Sequence, residues 1–125
     1  MMKILGLNLS FLCTVLSQNI ATKCSKHIQV TGHDTFAGYY SYHGVSSNKP
    51  SYYNPKKNMY LYAIKNGHWH FNKYFGHNAA MAFMKPSDCP AGQSVSVWDA
   101  SLSKWFIDNK IVINSGLFEQ KPTKH

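Results

Sequence analysis

His68 and His70 stand two residues apart in a run of β-forming residues, so both project from one face of a strand and have the spacing to share a metal ion. Lys65 is expected opposite His68, and this hairpin has no Asp, Glu or free Cys to complete a ligand shell. The expectation is therefore no metal and no cofactor, but a solvated basic face whose charge rises when the imidazoles take up protons. A second concentration of chemistry lies in residues 49–57, where Lys49, Lys56 and Lys57 surround the doublet Tyr52-Tyr53. Successive side chains of a strand point to opposite faces, so one ring of this doublet, and of Tyr39-Tyr40, is expected to face away from the core. An exposed tyrosine stacks on a sugar face while its hydroxyl hydrogen-bonds, and the lysines supply the charge that draws an acidic glycan or another polyanion. The candidate binding residues are thus Lys49, Tyr52, Tyr53, Lys56, Lys57, Lys65, His68 and His70.

No catalytic set emerges. The acids are Asp34, Asp88, Asp99, Asp108 and Glu119, each beside a turn or near the C-terminus, which does not suit a carboxylate pair with separated pKa values. The chain has no G-x-S-x-G elbow. Seven His and many Lys are the parts of a small secreted nuclease or hydrolase, a less favoured reading because composition does not bring them together.

All 13 basic residues are Lys and none is Arg, against 5 acids, giving a net charge of +8 on 125 residues. Lysine is a flexible point charge without a planar fork, which speaks for anionic partners and against sequence-specific nucleic-acid recognition. Eight Tyr, seven Phe and three Trp exclude a disordered basic tail, since so many rings bury apolar area. Trp69, Trp98 and Trp105 are expected as core anchors.

The elements that must hold these residues are short strands. Residues 60–65 and 68–74 flank Asn66-Gly67, the signature of a hairpin with a two-residue type I′ turn. That turn predicts Ile64 opposite Trp69, Ala63 opposite His70, Tyr62 opposite Phe71 and Leu61 opposite Asn72. Ile64, Tyr62, Trp69 and Phe71 then form the core face, and Lys65, His68, His70 and Asn72 the outer one. Further apolar runs at 27–30, 36–42, 51–54, 79–84, 95–98, 104–107 and 110–114 are punctuated by Gly and Pro too often for ordinary helices. Only 78–84, with its three alanines and two methionines, has local helix preference. The fold class predicted is all-β: a small antiparallel meander closing into a barrel or sandwich.

The first residues read as an address. Met1-Met2-Lys3 precedes an apolar run over 4–16, the length of a signal-peptide core and too short to span a bilayer. Cleavage is expected between residues 17 and 23, leaving a single β domain over 24–116, a flexible tail over 117–125 and a net charge of +7. No transmembrane anchor is expected. Cys13 leaves with the signal, so Cys24 and Cys89 are expected to join in an oxidising, extracellular compartment. That bridge would close a 66-residue loop, worth about 4 kcal/mol on the chain-entropy model. The only N-x-S/T triplet, at Asn8, lies within the signal.

The sequence Cys24, Ile28-x-Val30-x-Gly32, Gly38-x-Tyr40, Pro50-x-Tyr52, Tyr60-Leu61-Tyr62, Asn66-Gly67-x-Trp69, Gly76, Cys89-Pro90, Trp98, Trp105 and Ile111-x-Ile113 resembles a small Tyr- and Trp-rich extracellular module. Such modules recur singly or in arrays in secreted eukaryotic proteins, and the resemblance covers residues 24–116. It implies no catalytic residues. Some relatives end in a cysteine after the last strand, where this chain has Asn114-Ser115. The reading that follows is a secreted, non-enzymatic module that binds or assembles, with acidic polysaccharide, another extracellular polyanion or further copies of itself as partners. The alternative is a basic toxin or antimicrobial effector, which the lack of an amphipathic basic helix disfavours.

Overall fold

Short, β-prone segments bounded by turns produce nine strands in the computed structural model, which describes residues 23–116. They are β1 (His27–Thr31), β2 (Gly38–Ser46), β3 (Lys49–Asn54), β4 (Met59–Ala63), β5 (Trp69–Asn72), β6 (Ala82–Met84), β7 (Ser96–Asp99), β8 (Lys104–Ile107) and β9 (Val112–Ser115). The described residues contain no helix, and 82–84, within the segment of local helix preference, is strand. The expected signal over 1–17 and tail over 117–125 lie outside the described residues.

All strands belong to one antiparallel sheet in the order β8-β7-β6-β5-β4-β3-β2-β1-β9. The meander is thus sequential from β1 to β8, and β9 returns to pair with β1. A flat nine-stranded sheet would hold its edges about 38 Å apart at the usual strand spacing. Yet β8 and β9 are consecutive in the chain, and the five steps from Ile107 to Val112 reach about 18 Å at most. The sheet must therefore curl, and it forms a half-barrel whose seam lies between β8 and β9.

The concave side is the core. One row of paired residues crosses it from Tyr52 through Leu61, Phe71 and Ala82 to Val97, and Trp69, Tyr40, Phe36, Ile28, Val30 and Ile113 fill the space around it. Buried polar tips find partners, as large amphipathic rings require. The Tyr40 hydroxyl donates to the Phe36 carbonyl at 2.6 Å, Tyr52 to Ser25 at 2.7 Å, and the Trp69 indole to Ser87 at 3.0 Å. Burial pushes both tyrosine hydroxyls well above their usual pKa. Cys24, just before β1, is bonded to Cys89 in the β6–β7 connection with the Cα atoms 5.5 Å apart. The bridge ties strands that are far apart in the sheet order across the curl.

The β4–β5 hairpin corrects the expected register by one residue. Gly67 donates its N–H to Ile64 at 2.8 Å and Ile64 to His68 at 3.0 Å, and only Gly67 of the loop has positive φ. This is a three-residue loop, a type I turn followed by a left-handed glycine, in place of the type I′ turn. Ala63 accordingly faces Trp69, Leu61 faces Phe71, Tyr62 faces His70 and Tyr60 faces Asn72. A slip of one residue exchanges the faces of β4: Leu61 and Ala63 enter the core, and Tyr62 moves to the convex side.

Candidate functional site

The convex side of β3, β4 and β5 carries an aromatic cluster. The rings of Tyr53 and Tyr60, cross-strand partners, lie 4.5 Å apart. His43 joins them because the β2–β3 register shifts between Tyr42 and Gly44, and the extra residue of this bulge is turned outward. Its ring is 5.2 Å from Tyr60 and 6.0 Å from Tyr53. Phe75 arrives from the loop 73–81, within 5.0 Å of His43, 5.3 Å of Tyr60 and 5.4 Å of Tyr62, and remains 41% exposed.

That loop is fastened by polar residues of the same face. The Tyr62 hydroxyl donates to the His77 and Tyr74 carbonyls at 2.7 and 3.2 Å. The Asn72 amide donates to Ala79 at 2.6 Å while its oxygen accepts from Tyr74 at 3.1 Å. His70 Nδ1 lies 3.4 Å from the His77 carbonyl. The loop therefore covers His70, which is buried, and corrects the expectation of a solvated histidine face. Its pKa is lowered, first by desolvation and further by neighbouring His68, against the opposing effect of the His77 and Ala79 carbonyls.

Through Gly76 and Asn78 the loop also borders an open depression of about 650 Å³, lined further by Ser46, Ser47, Lys65 and Asn66 together with Ala63 and Ile64. Hydroxyls, amides and one ammonium group line this hollow, a set that hydrogen-bonds polyhydroxylated ligands and their anionic substituents. The loop thus borders both a ring platform and a polar hollow.

The other candidate residues are divided. Tyr52 lies wholly in the core and presents no ring to solvent, whereas Tyr53 is the outward member of the doublet, its hydroxyl bonded to Asn58 at 3.0 Å. Lys49 opens β3, and Lys56 and Lys57 occupy the turn after its far end, so the three lysines do not gather around one point. Lys49 lies 3.8 Å from Asp88, Lys57 pairs with Asp34 at 3.5 Å, and Lys56 is exposed. Lys65 is exposed at the hollow, and half-buried His68 sits 5.8 Å from the Phe83 ring.

Of the three tryptophans only Trp69 is a core anchor. Trp98 and Trp105, 44% and 39% exposed, pair across β7 and β8 on the convex side with centroids 5.4 Å apart, and Phe83 meets Trp105 edge-on at 4.9 Å. The reason is parity: Val97 and Phe106 take the inward positions of that hairpin. Sequence reasoning missed Tyr60, His43 and Phe75 because a bulge and a returning loop assemble them. The alternation of β4 would have singled out Tyr60 had the three-residue turn been recognised.

Among the described residues, no group of three or more His, Cys, Asp or Glu could hold a metal ion, and no helix is long and apolar enough to cross a membrane. No family model matches the chain, nor does any curated protein or solved structure.

Proposed function

We propose that this protein is a secreted, non-enzymatic module that binds acidic glycans across its convex face. The observation that carries the reading is the gathering of Tyr53, Tyr60, His43 and Phe75 on one face, with the Lys65-bearing hollow bordered by the same loop that holds Phe75. Aromatic faces stack on sugar rings, and the hollow supplies donors for hydroxyls and a cation for a carboxylate or sulfate. Lys56 adds charge at the far end of β3, and the overall excess of lysine raises the rate of encounter with a polyanion. The Cys24–Cys89 bridge supports an oxidising compartment.

The test is binding to heparin-type and uronic-acid oligosaccharides at matched salt, with Tyr60→Ala and Lys65→Ala as the variants. Each is expected to weaken binding about tenfold, as removal of one stacking or charge-assisted contact does. Binding no tighter than that of an unrelated protein of equal charge, or indifferent to both substitutions, overturns the reading.

A further inference from the structure

The second aromatic region lies on an edge. All four residues of β8 are exposed, and the three after Lys104 are Trp105, Phe106 and Ile107, exposed by 39%, 41% and 54%. Edge strands with free backbone groups are ordinarily guarded by proline, a bulge or several charges. Here β8 has Lys104 alone, and it pairs on one side only, with β7.

We propose that β8 pairs antiparallel with β8 of a second copy, about a two-fold axis through Phe106, to join two half-barrels edge to edge.

Three observations specify this occupant and register. The first is backbone phase. Asp108 donates its N–H to Val95 at 2.9 Å, so alternation along the ladder turns the backbone groups of Phe106 toward β7 and those of Trp105 and Ile107 outward. A two-fold axis normal to the sheet keeps each face on its own side, so residues of equal parity meet. With the axis at Phe106, Trp105 of one copy exchanges both hydrogen bonds with Ile107 of the other, and the symmetric pair does the same.

The second is charge. Residues 96–110 contain Asp99, Lys104, Asp108 and Lys110 and carry no net charge, while the rest of the described chain has eight Lys against two Asp. The edge is therefore the region where two copies of a basic protein approach at least electrostatic cost. The Phe106-centred register also sets Lys104 opposite Asp108 of the other copy, twice by symmetry. A register centred on Trp105 would set Lys104 opposite Phe106 and lose that match.

The third is area. The exposed parts of Trp98, Leu102, Trp105, Phe106 and Ile107 amount to roughly 450 Å² per copy. With the strand backbone, two copies bury at most about 1,000 Å², the lower limit for a specific interface, because Trp98 stands one strand behind the edge and is only partly covered, so the dimer is weak and concentration-dependent.

Sedimentation of the full secreted chain over a concentration series tests the proposal. Lys104→Asp and Asp108→Lys are each expected to weaken dimerisation about tenfold by opposing like charges at two symmetric pairs, and the double exchange to restore it. Ile107→Pro removes an outward N–H without touching the β7 ladder and is expected to abolish association even where the charge variants fold poorly. Phe106→Cys is expected to form an intermolecular disulfide, because a non-hydrogen-bonded antiparallel pair holds its Cα atoms at about 4.5 Å, within disulfide reach. Trp105→Cys, which faces Ile107, is not. A monomer at every concentration overturns the proposal, whether or not the edge then takes up an extended peptide or a glycan. A dimer unaffected by Ile107→Pro and by charge exchange overturns it equally.

Discussion

The Tyr62 hydroxyl reaches the carbonyl oxygen of His77 at 2.7 Å, fastening strand β4 to the loop that presents Phe75. The same hydroxyl also reaches the Tyr74 carbonyl at 3.2 Å, so a single oxygen on a buried side chain holds two points of the loop. The convex aromatic face depends on this fastening, because Phe75 touches Tyr60, Tyr62 and His43 only while the loop lies down.

Tyr62→Phe keeps the ring and removes the tie. It is expected to lower stability by about 1 kcal/mol, the net value of such a hydrogen bond, in urea unfolding. Amide exchange should accelerate across residues 74–79 and remain unchanged in β1 and β2.

Stability should fall as the solution is acidified from neutrality. His70 has its pKa lowered in the folded protein, so below the usual histidine value the unfolded chain binds a proton that the folded one resists. The stabilisation is present above about pH 6.5 and is lost as pH falls through that value toward the folded pKa. Urea unfolding at pH 7.5 and pH 5 measures the difference, and His70→Gln is expected to flatten it.

Gly32 admits no side chain. A Cβ there would lie 1.7 Å from the Lys110 carbonyl oxygen, a backbone atom, and the residue has φ of +97°. Gly32→Ala is expected to cost more than about 3 kcal/mol, because the turn that joins β8 to β9 must move away from the end of β1. A thermal transition within a few degrees of the parent would refute this packing.

Replacing Cys24 and Cys89 together by serine releases a loop of 66 residues, with an expected loss of about 4 kcal/mol. Denaturant midpoints of the variant and of the reduced parent should agree.

Much of the fold was legible because it depends on period-two alternation and on turn residues. Tyr40 went inward and Tyr39 outward, Trp69 and Phe71 took core positions, and the cysteines paired. What was illegible depends on single residues that carry two meanings. Asn-Gly serves either a two-residue turn or a three-residue turn ending in a left-handed glycine, and the choice inverts every side chain of β4. His43 is exposed on the convex face because a bulge inserts it, and a bulge leaves no mark in a sequence already rich in Gly and Tyr. The lysines near Tyr52 and Tyr53 are close in sequence, but an extended strand carries Lys49 away from Lys56 and Lys57, and Asp88 and Asp34, remote in sequence, draw two of them.

The pairing of β1 with β9 has a mechanical corollary. Gly116 donates its N–H to His27, so the chain enters and leaves this domain side by side. Tension between those two points peels β9 from β1 one hydrogen bond at a time, the direction in which an antiparallel pair resists least. The covalent bond from Cys24 to Cys89 shields everything between them, so only the segment beyond residue 89 pays out. Those 27 residues extend to roughly 90 Å, and once β9 has left β1 the chain from β1 to β6 carries no load. A tether built from this domain would lengthen by a fixed increment and then stop.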